Sequence, residues 1–186
     1  LDILINNAAN DPKVSASNDS QWSSFENFPL EHRNLDLQVG LTGTLLSCQV
    51  LGGFMASQMS GVIINISSDL GLIAPDQRLY QRSNIPKEQQ LIKPISYSVV
   101  KHGVIGLTKY LATYWAEQKI RVNALAPGGI LASQTDEFLK RITALIPMAR
   151  LADHDEYKGT IVYLASDASS YMTGTTLIVD GGRTSW

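Results

Sequence analysis

Four short apolar runs, each ending in small or polar residues, limit what this chain can fold into. They are Leu1–Ile5, Val62–Ile66, Ile120–Leu125 and Thr176–Val179. Runs of this length read as strands, and Leu1–Ile5, with its β-branched residues, as a buried strand of the parallel type. Longer helical patterns separate them. Over Leu30–Met59, residues Leu35, Val39, Thr42, Leu46, Val50 and Phe54 recur at steps of three or four, while Gly40, Gly43, Gly52 and Gly53 permit close packing. Gly61 stops that helix. Ile95–Gln118 carries a second stripe, Ile105, Thr108, Leu111, Ala112 and Trp115. Ser133–Ile146 reads as a short mobile helix closed by Pro147. Asp153–Leu164 reads as a helix with Asp153 as N-cap and Glu156 at the capping-box position. Asn10–Pro29 and Leu72–Pro94 read as loops. Strands alternating with helices predict an α/β fold, a parallel sheet covered on both faces.

Composition narrows the function classes. The 186 residues suffice for a single domain, 1–186, with a sizeable core. The net charge of −2 gives no general attraction to nucleic acid or anionic membrane, so neither is expected as a partner. No apolar run reaches membrane-spanning length, and no signal-peptide pattern is present. The single cysteine, Cys48, fits a reducing compartment, and a cytoplasmic location is expected. His32, His102 and His154 share no ligand spacing, so no metal site is expected. The chain opens at Leu1 directly on a strand pattern, and N-terminal strands are expected to be missing.

Chemistry concentrates where the strands end. In parallel sheets of this kind ligands sit beyond the C-terminal strand ends. Asn7, Ser68 and Pro127–Ile130 all fall there. Tyr97 and Lys101 are four apart at the start of the second long helix, one turn from each other on one face. A neighbouring cation lowers a phenol's pKa and makes it a proton donor and acceptor nearer neutral pH. Taken alone, such a pair is more often a surface pair. The connection Leu72–Pro94 is unusually long and net +2 from Arg78, Arg82, Lys87 and Lys93 against Asp76 and Glu88.

The ordered set of motifs resembles the short-chain dehydrogenase/reductase family. It comprises Asn6-Asn7-Ala8-Ala9, Ile64-Asn65-Ile66-Ser67-Ser68, Tyr97 to Lys101, Arg121-Val122-Asn123-Ala124, Pro127-Gly128-Gly129-Ile130 and Val179-Asp180-Gly181-Gly182. The resemblance implies a Rossmann-like, doubly wound parallel sheet whose N-terminal strands, with their Gly-rich phosphate turn, lie outside this chain. It implies hydride transfer between NAD or NADP and a carbonyl or secondary alcohol. Ser68 would bond the reacting oxygen, Tyr97 would be the acid/base, and Lys101 would tune Tyr97 and hold the cofactor ribose. Asn7, Ala8, Tyr97, Lys101, Pro127, Gly128 and Ile130 would form the cofactor side. The family's dimers and tetramers imply a homo-oligomer built on the two long helices. Without the phosphate turn, the chain alone is expected to bind dinucleotide poorly.

Departures from the family pattern bear on activity. Gly40 stands where the family usually has an Asn that holds a relay water, and Asn34 is a poor substitute. A water in the space left by the side chain is one expected compensation, and restoring Asn at position 40 is expected to raise turnover. Ala9 replaces a usual Gly, and Ala132 a frequent Thr, with Ser133 adjacent. The gap from Ser68 to Tyr97 exceeds the family's usual spacing, which makes 74–94 an insertion expected over the active-site mouth, either a lid for a polar or sugar-like substrate or a solvated insertion. Two alternatives stand beside the oxidoreductase: an inactive oligomerising subunit, and a relative of the nucleotide-sugar epimerases and dehydratases.

Overall fold

The computed structural model describes residues 1–11, 20–83 and 85–186. The expected loop Asn10–Pro29 therefore lies partly outside the described residues. Four strands, β1 (Ile3–Asn6), β2 (Gly61–Ile66), β3 (Ile120–Pro127) and β4 (Thr176–Val179), form one sheet in that order, with every pair parallel. Helix α1 (Leu30–Gln58) connects β1 to β2 and α2 (Ile95–Tyr114) connects β2 to β3. The β3–β4 connection carries α3 (Asp136–Thr143) and α4 (Lys158–Ala165). The fold is the doubly wound α/β sheet that the alternation predicts.

Register decides which residues share a face. Leu4, Ile63 and Val122 are aligned across the sheet and bury against Cys48 and Met55 of α1 and Leu111, Ala112 and Trp115. Ile64 and Leu125, together with Leu164 of α4, form the core on the opposite face. Ile3 and Ile5 point to that opposite face but remain 44% exposed, because among the described residues no helix covers β1 there.

The expected apolar stripe of α1 turns out to face outward. The residues that bury are Asp36, Gly40, Thr44, Cys48, Gly52 and Met55, nearly all at steps of four and mostly small. Small side chains bring the helix close to the sheet and to α2. Two π turns, Gln38–Thr42 and Cys48–Gly52, keep those positions in line over the helix's length. Leu46, Val50 and Phe54 are left exposed. One sequence expectation is corrected here: α1, 29 residues long with an 18-residue stretch of mean hydropathy 1.4, is by length and composition alone long and apolar enough to cross a membrane. Interspersed Gly, Ser and Thr conceal this in a search for unbroken apolar runs. Two boundaries also shift. The helix expected at Asp153 starts at Lys158, and residues 154–157 form turns. The Glu156 carboxylate still accepts the Asp153 N–H, at 2.8 Å, so the capping geometry forms without the helix it would start. The second long helix ends at Tyr114, four residues short of Gln118.

Strand ends are fixed by buried carboxamides. Asn6 donates to Asn65 Oδ1 at 2.8 Å, and Asn65 donates to Thr108 Oγ1 at 2.9 Å. Thr108 in turn donates to the Val104 carbonyl at 2.8 Å. Asn123 donates to the Met172 carbonyl and accepts from the Thr175 N–H, holding the approach to β4. Asn65→Leu in the complete protein strands the Asn6 amide and is expected to cost about 1–3 kcal/mol of unfolding free energy, read by urea denaturation. An unchanged midpoint would show that the carboxamide is dispensable.

Candidate active site

The C-terminal strand ends open into a cleft of about 390 Å³. Asn7, Ser68, Tyr97, Lys101, Pro127, Gly128 and Ile130, each picked out from sequence, all line it. Ala8 does not; it is exposed beside the cleft, and Ala9 takes the lining position.

Each group is placed by local structure. β2 ends at Ile66, and Ser68 N-caps a short 3₁₀ turn, Asp69–Gly71, accepting the Leu70 N–H at 3.2 Å. Helix α2 starts right after Pro94, which puts Tyr97 in its first turn and Lys101 one turn on. Three contacts lock this helix to the end of β2. Lys101 Nζ donates to the Ile66 carbonyl at 2.9 Å, Ser67 Oγ donates to the Lys101 carbonyl at 2.8 Å, and Asn65 reaches Thr108. Gly128 is needed for the chain's close approach to the C-terminal segment, since a Cβ there would lie 2.9 Å from Asp180 Cα.

The electrostatics correct one expectation. Lys101 does not lower the Tyr97 pKa in this arrangement. Burial pushes the phenol up to about 12, and the Asp11 and Asp69 charges add to the rise, while the facing Ser68 hydroxyl opposes it. Lys101 Nζ is 5.6 Å from the Tyr97 ring centroid and is turned to Ile66. Burial also lowers the Lys101 pKa. Desolvation thus drives both members of the pair towards their neutral forms.

Other groups in the cleft were not singled out from sequence. Lys93 Nζ lies 4.4 Å above the Tyr97 ring centroid and pairs with Asp11. Asp69 pairs with Arg183 at 2.6 Å, and both are buried. Asp69 directly follows Ser68, and Arg183 directly follows Gly181-Gly182, so the signal was an opposite charge at the end of each motif. Among the described residues no group of three His, Cys, Asp or Glu side chains gathers as a metal site.

Part of the 74–94 segment is packed, while Arg78, Gln81, Arg82 and Lys87 are exposed. Leu79 buries with Ile142, Ile146 and Leu151, and the Tyr80 and Phe138 rings lie 5.9 Å apart. Arg141 of α3 donates to the Arg78 carbonyl at 3.1 Å and also to the Gln81 carbonyl. Leu79, Tyr80 and Lys93 of this segment line the cleft.

Gly40 has a packing reason. A Cβ at that position would lie 2.5 Å from Val100 Cγ1 of α2. The space expected to hold a compensating water is therefore filled by valine, and an Asn at 40 cannot enter without moving Val100. Cys48, with its pKa raised to about 11 by burial, is a packing residue.

The chain's residues suit the nicotinamide end of a dinucleotide: an ammonium, two hydroxyls and an exposed asparagine converge beside the thin Pro127–Gly129 backbone. The fold is an α/β sheet of dinucleotide-binding type, with these groups gathered at its C-terminal strand ends. The profile of the family described as "Enoyl-(Acyl carrier protein) reductase" matches residues 1–184, and the chain belongs to the short-chain dehydrogenase/reductase family. It is 36% identical over 146 residues to the post-translational flagellin modification protein A of Campylobacter coli, covering 78% of this chain and 55% of that protein. A short-chain dehydrogenase of Leptospira borgpetersenii with bound NAD+ superposes with a TM-score of 0.85 at 33% identity, covering 98% of this chain and 65% of that one. A gluconate 5-dehydrogenase of Burkholderia cenocepacia, in complex with NADP and tartrate, gives a TM-score of 0.84 at 28% identity, covering 100% and 66%. The chain thus spans about half to two thirds of the length of these relatives.

Gly40→Asn alone is expected to destabilise the complete protein by about 1–3 kcal/mol through overpacking against Val100. Adding Val100→Ala should recover most of that loss, and thermal unfolding of the two variants measures both. Equal destabilisation with and without Val100→Ala would exclude this contact as the cause.

Proposed function

We propose that this chain is the catalytic portion of an oxidoreductase that moves a hydride between NAD or NADP and the carbonyl or secondary-alcohol carbon of a small, polar, sugar-like substrate. The observation that carries this reading is the convergence of Ser68, Tyr97 and Lys101 in one cleft at the strand ends. The gluconate 5-dehydrogenase likeness and the polar lining added by Lys93, Gln134 and Arg183 support a polyhydroxylated substrate. The nicotinamide, when bound, gives or takes the hydride. Tyr97 protonates the substrate oxygen in reduction and takes its proton in oxidation. Ser68 donates a hydrogen bond to that oxygen as charge builds on it. Lys101, Asn7, Ala8, Pro127, Gly128 and Ile130 are the residues that would hold the nicotinamide and ribose, and 74–94 is the substrate lid. A cytoplasmic location fits the single buried cysteine.

The sign of the pH dependence follows from Tyr97. A phenol pushed up to about 12 is protonated at neutral pH, so it is ready to act as an acid. Reduction should be nearly flat through neutrality, whereas oxidation should rise as pH rises towards the phenol's pKa. Tyr97→Phe in the complete subunit should cut turnover about 10²–10⁴-fold. The assay is a panel of polyols, aldonic acids and their keto forms with both cofactors, with NAD(P)H fluorescence reporting binding. Wild-type turnover that survives this substitution would defeat the assignment.

An inactive, oligomerising subunit is the second reading, and the filling of the Gly40 space by Val100 favours it. Bound NAD(P)H with no turnover on any substrate would support it. Both readings include a homo-oligomer, dimer or tetramer. Val50 and Phe54 of α1 are 58% and 64% exposed, and Val99, Tyr110 and Tyr114 of α2 are exposed on the neighbouring helix. Phe54→Glu is expected to shift the mass measured by light scattering towards the monomer; an unchanged mass would remove α1 from the interface.

A further inference from the structure

Ser68 has one hydroxyl proton, and in this structure that proton is committed. Ser68 Oγ donates to Asp69 Oδ1 at 2.7 Å and accepts the Leu70 N–H. Asp69 Oδ1 also accepts the Leu70 N–H, at 2.8 Å, and Asp69 Oδ2 accepts from Arg183 Nη1 at 2.6 Å. Asp69 is 4% exposed and Arg183 8%. The guanidinium arrives from 114 residues away, on a segment that is itself built. Asp180 accepts the Gly182 and Thr184 N–H groups at 2.8 Å each, and the Gly181 carbonyl accepts the Met148 N–H at 3.1 Å.

We propose that Asp69 and Arg183 are a positioning pair for the Ser68–Tyr97 centre, with the carboxylate parking the Ser68 proton and the guanidinium fixing and neutralising that carboxylate. The proposal rests on the assignment of Ser68 and Tyr97 given above. To donate to a substrate oxygen or to a Tyr97 phenolate, Ser68 must turn its proton away from Asp69. An unpaired carboxylate would hold that proton harder and would repel a phenolate. A carboxylate paired with Arg183 does both less strongly, because the guanidinium shares its charge. Arg183 thus acts through Asp69, and the C-terminal segment becomes part of the active site.

The groups facing Tyr97 come from every surrounding element. They are Lys101 on its own helix, Lys93 and Tyr80 from the 74–94 segment, Asp11 after β1, and Ser68 and Asp69 after β2. Of these, Asp11 and Asp69 disfavour the phenolate and the Ser68 hydroxyl favours it. Only Asp69 is anchored by a second buried charge.

The test needs no substrate. The complete protein is labelled with ring-¹³C tyrosine, the Tyr97 resonance is assigned by its loss in Tyr97→Phe, and it is followed up an alkaline titration. Asp69→Asn is expected to lower the Tyr97 titration by about one pH unit, and Arg183→Met to move it upward. Arg183→Lys keeps the cation and is expected to titrate like the wild type. A merely structural ion pair would lower the melting temperature without moving Tyr97. Identical Tyr97 titrations in all folded variants therefore overturn the proposal. Should Asp69→Asn or Arg183→Met fail to fold, the folded one of the two, compared with Arg183→Lys, decides it. Because turnover is not read, the result stays separate from the substrate assignment, which the Tyr97→Phe assay tests.

Discussion

The attachment of β2 to α2 is the constraint on which the geometry of the cleft depends. Ser68 belongs to the turn after one and Tyr97 to the first turn of the other, so their spacing is only as fixed as that joint. Three hydrogen bonds make it: Asn65 to Thr108, Lys101 to the Ile66 carbonyl, and Ser67 to the Lys101 carbonyl. All lie in the protein interior, where an unmade bond costs more than a made one contributes. Lys101 is therefore structural before it is chemical. Its ammonium closes β2's last free carbonyl, and this same bond holds it away from the phenol. Gly71 completes the joint: a Cβ there would meet Ser67 Oγ at 2.4 Å and the Lys101 carbonyl oxygen at 2.9 Å, so the turn carrying Asp69 lies directly on the helix.

Burial acts on Tyr97 and Lys101 alike. Desolvation raises Tyr97 and lowers Lys101, so each side chain leans towards its uncharged form. A phenol and an amine in that condition exchange little with each other. The cleft instead carries its fixed charge in two pairs placed around the phenol, Lys93 with Asp11 and Asp69 with Arg183. The two differ in kind. Asp11 is about half exposed, and exposed pairs contribute little and are screened by salt. Asp69 and Arg183 are both enclosed, where removing one partner leaves a buried charge without compensation.

What could be read from sequence was what recurs locally. Apolar runs gave the strands, and the residues closing each run gave the rim, because a parallel sheet puts all its C-terminal ends on one side. The helical period of α1 was legible but its orientation was not. A stripe of Leu, Val and Phe looks like a core face unless it is known that Gly40, Thr44, Cys48 and Gly52 are what the sheet needs in order to pack closely. Gly40 itself was legible only as a departure; its reason, Val100, is 60 positions on and one element away. Asp69 and Arg183 were hidden for the same cause. A pair of charges so far apart in the chain carries no periodicity, and only the β3–β4 connection and the final turn bring them together. The start of α4 failed differently: the Asp153–Glu156 pattern made its local bond, yet the chain continued in turns, so a correct capping signal marked the wrong residue.

The inverted helix also accounts for a composition that resembles a membrane span. A helix that faces water on one side needs only one apolar stripe, and its mean hydropathy stays low. Helix α1 carries small residues inward and large apolar residues outward, so nearly its whole circumference is free of charge after Asp36. Its inward face is already occupied by β1, β2 and α2. Val50 and Phe54 of α1 are exposed, and so are Tyr110 and Tyr114 of α2, whose stacked rings are 5.7 Å apart. A surface running across two helices that pack together is a different object from a single apolar cylinder. The high hydropathy of α1 thus goes with small residues packed inward against its own sheet and large apolar residues left exposed on the other side.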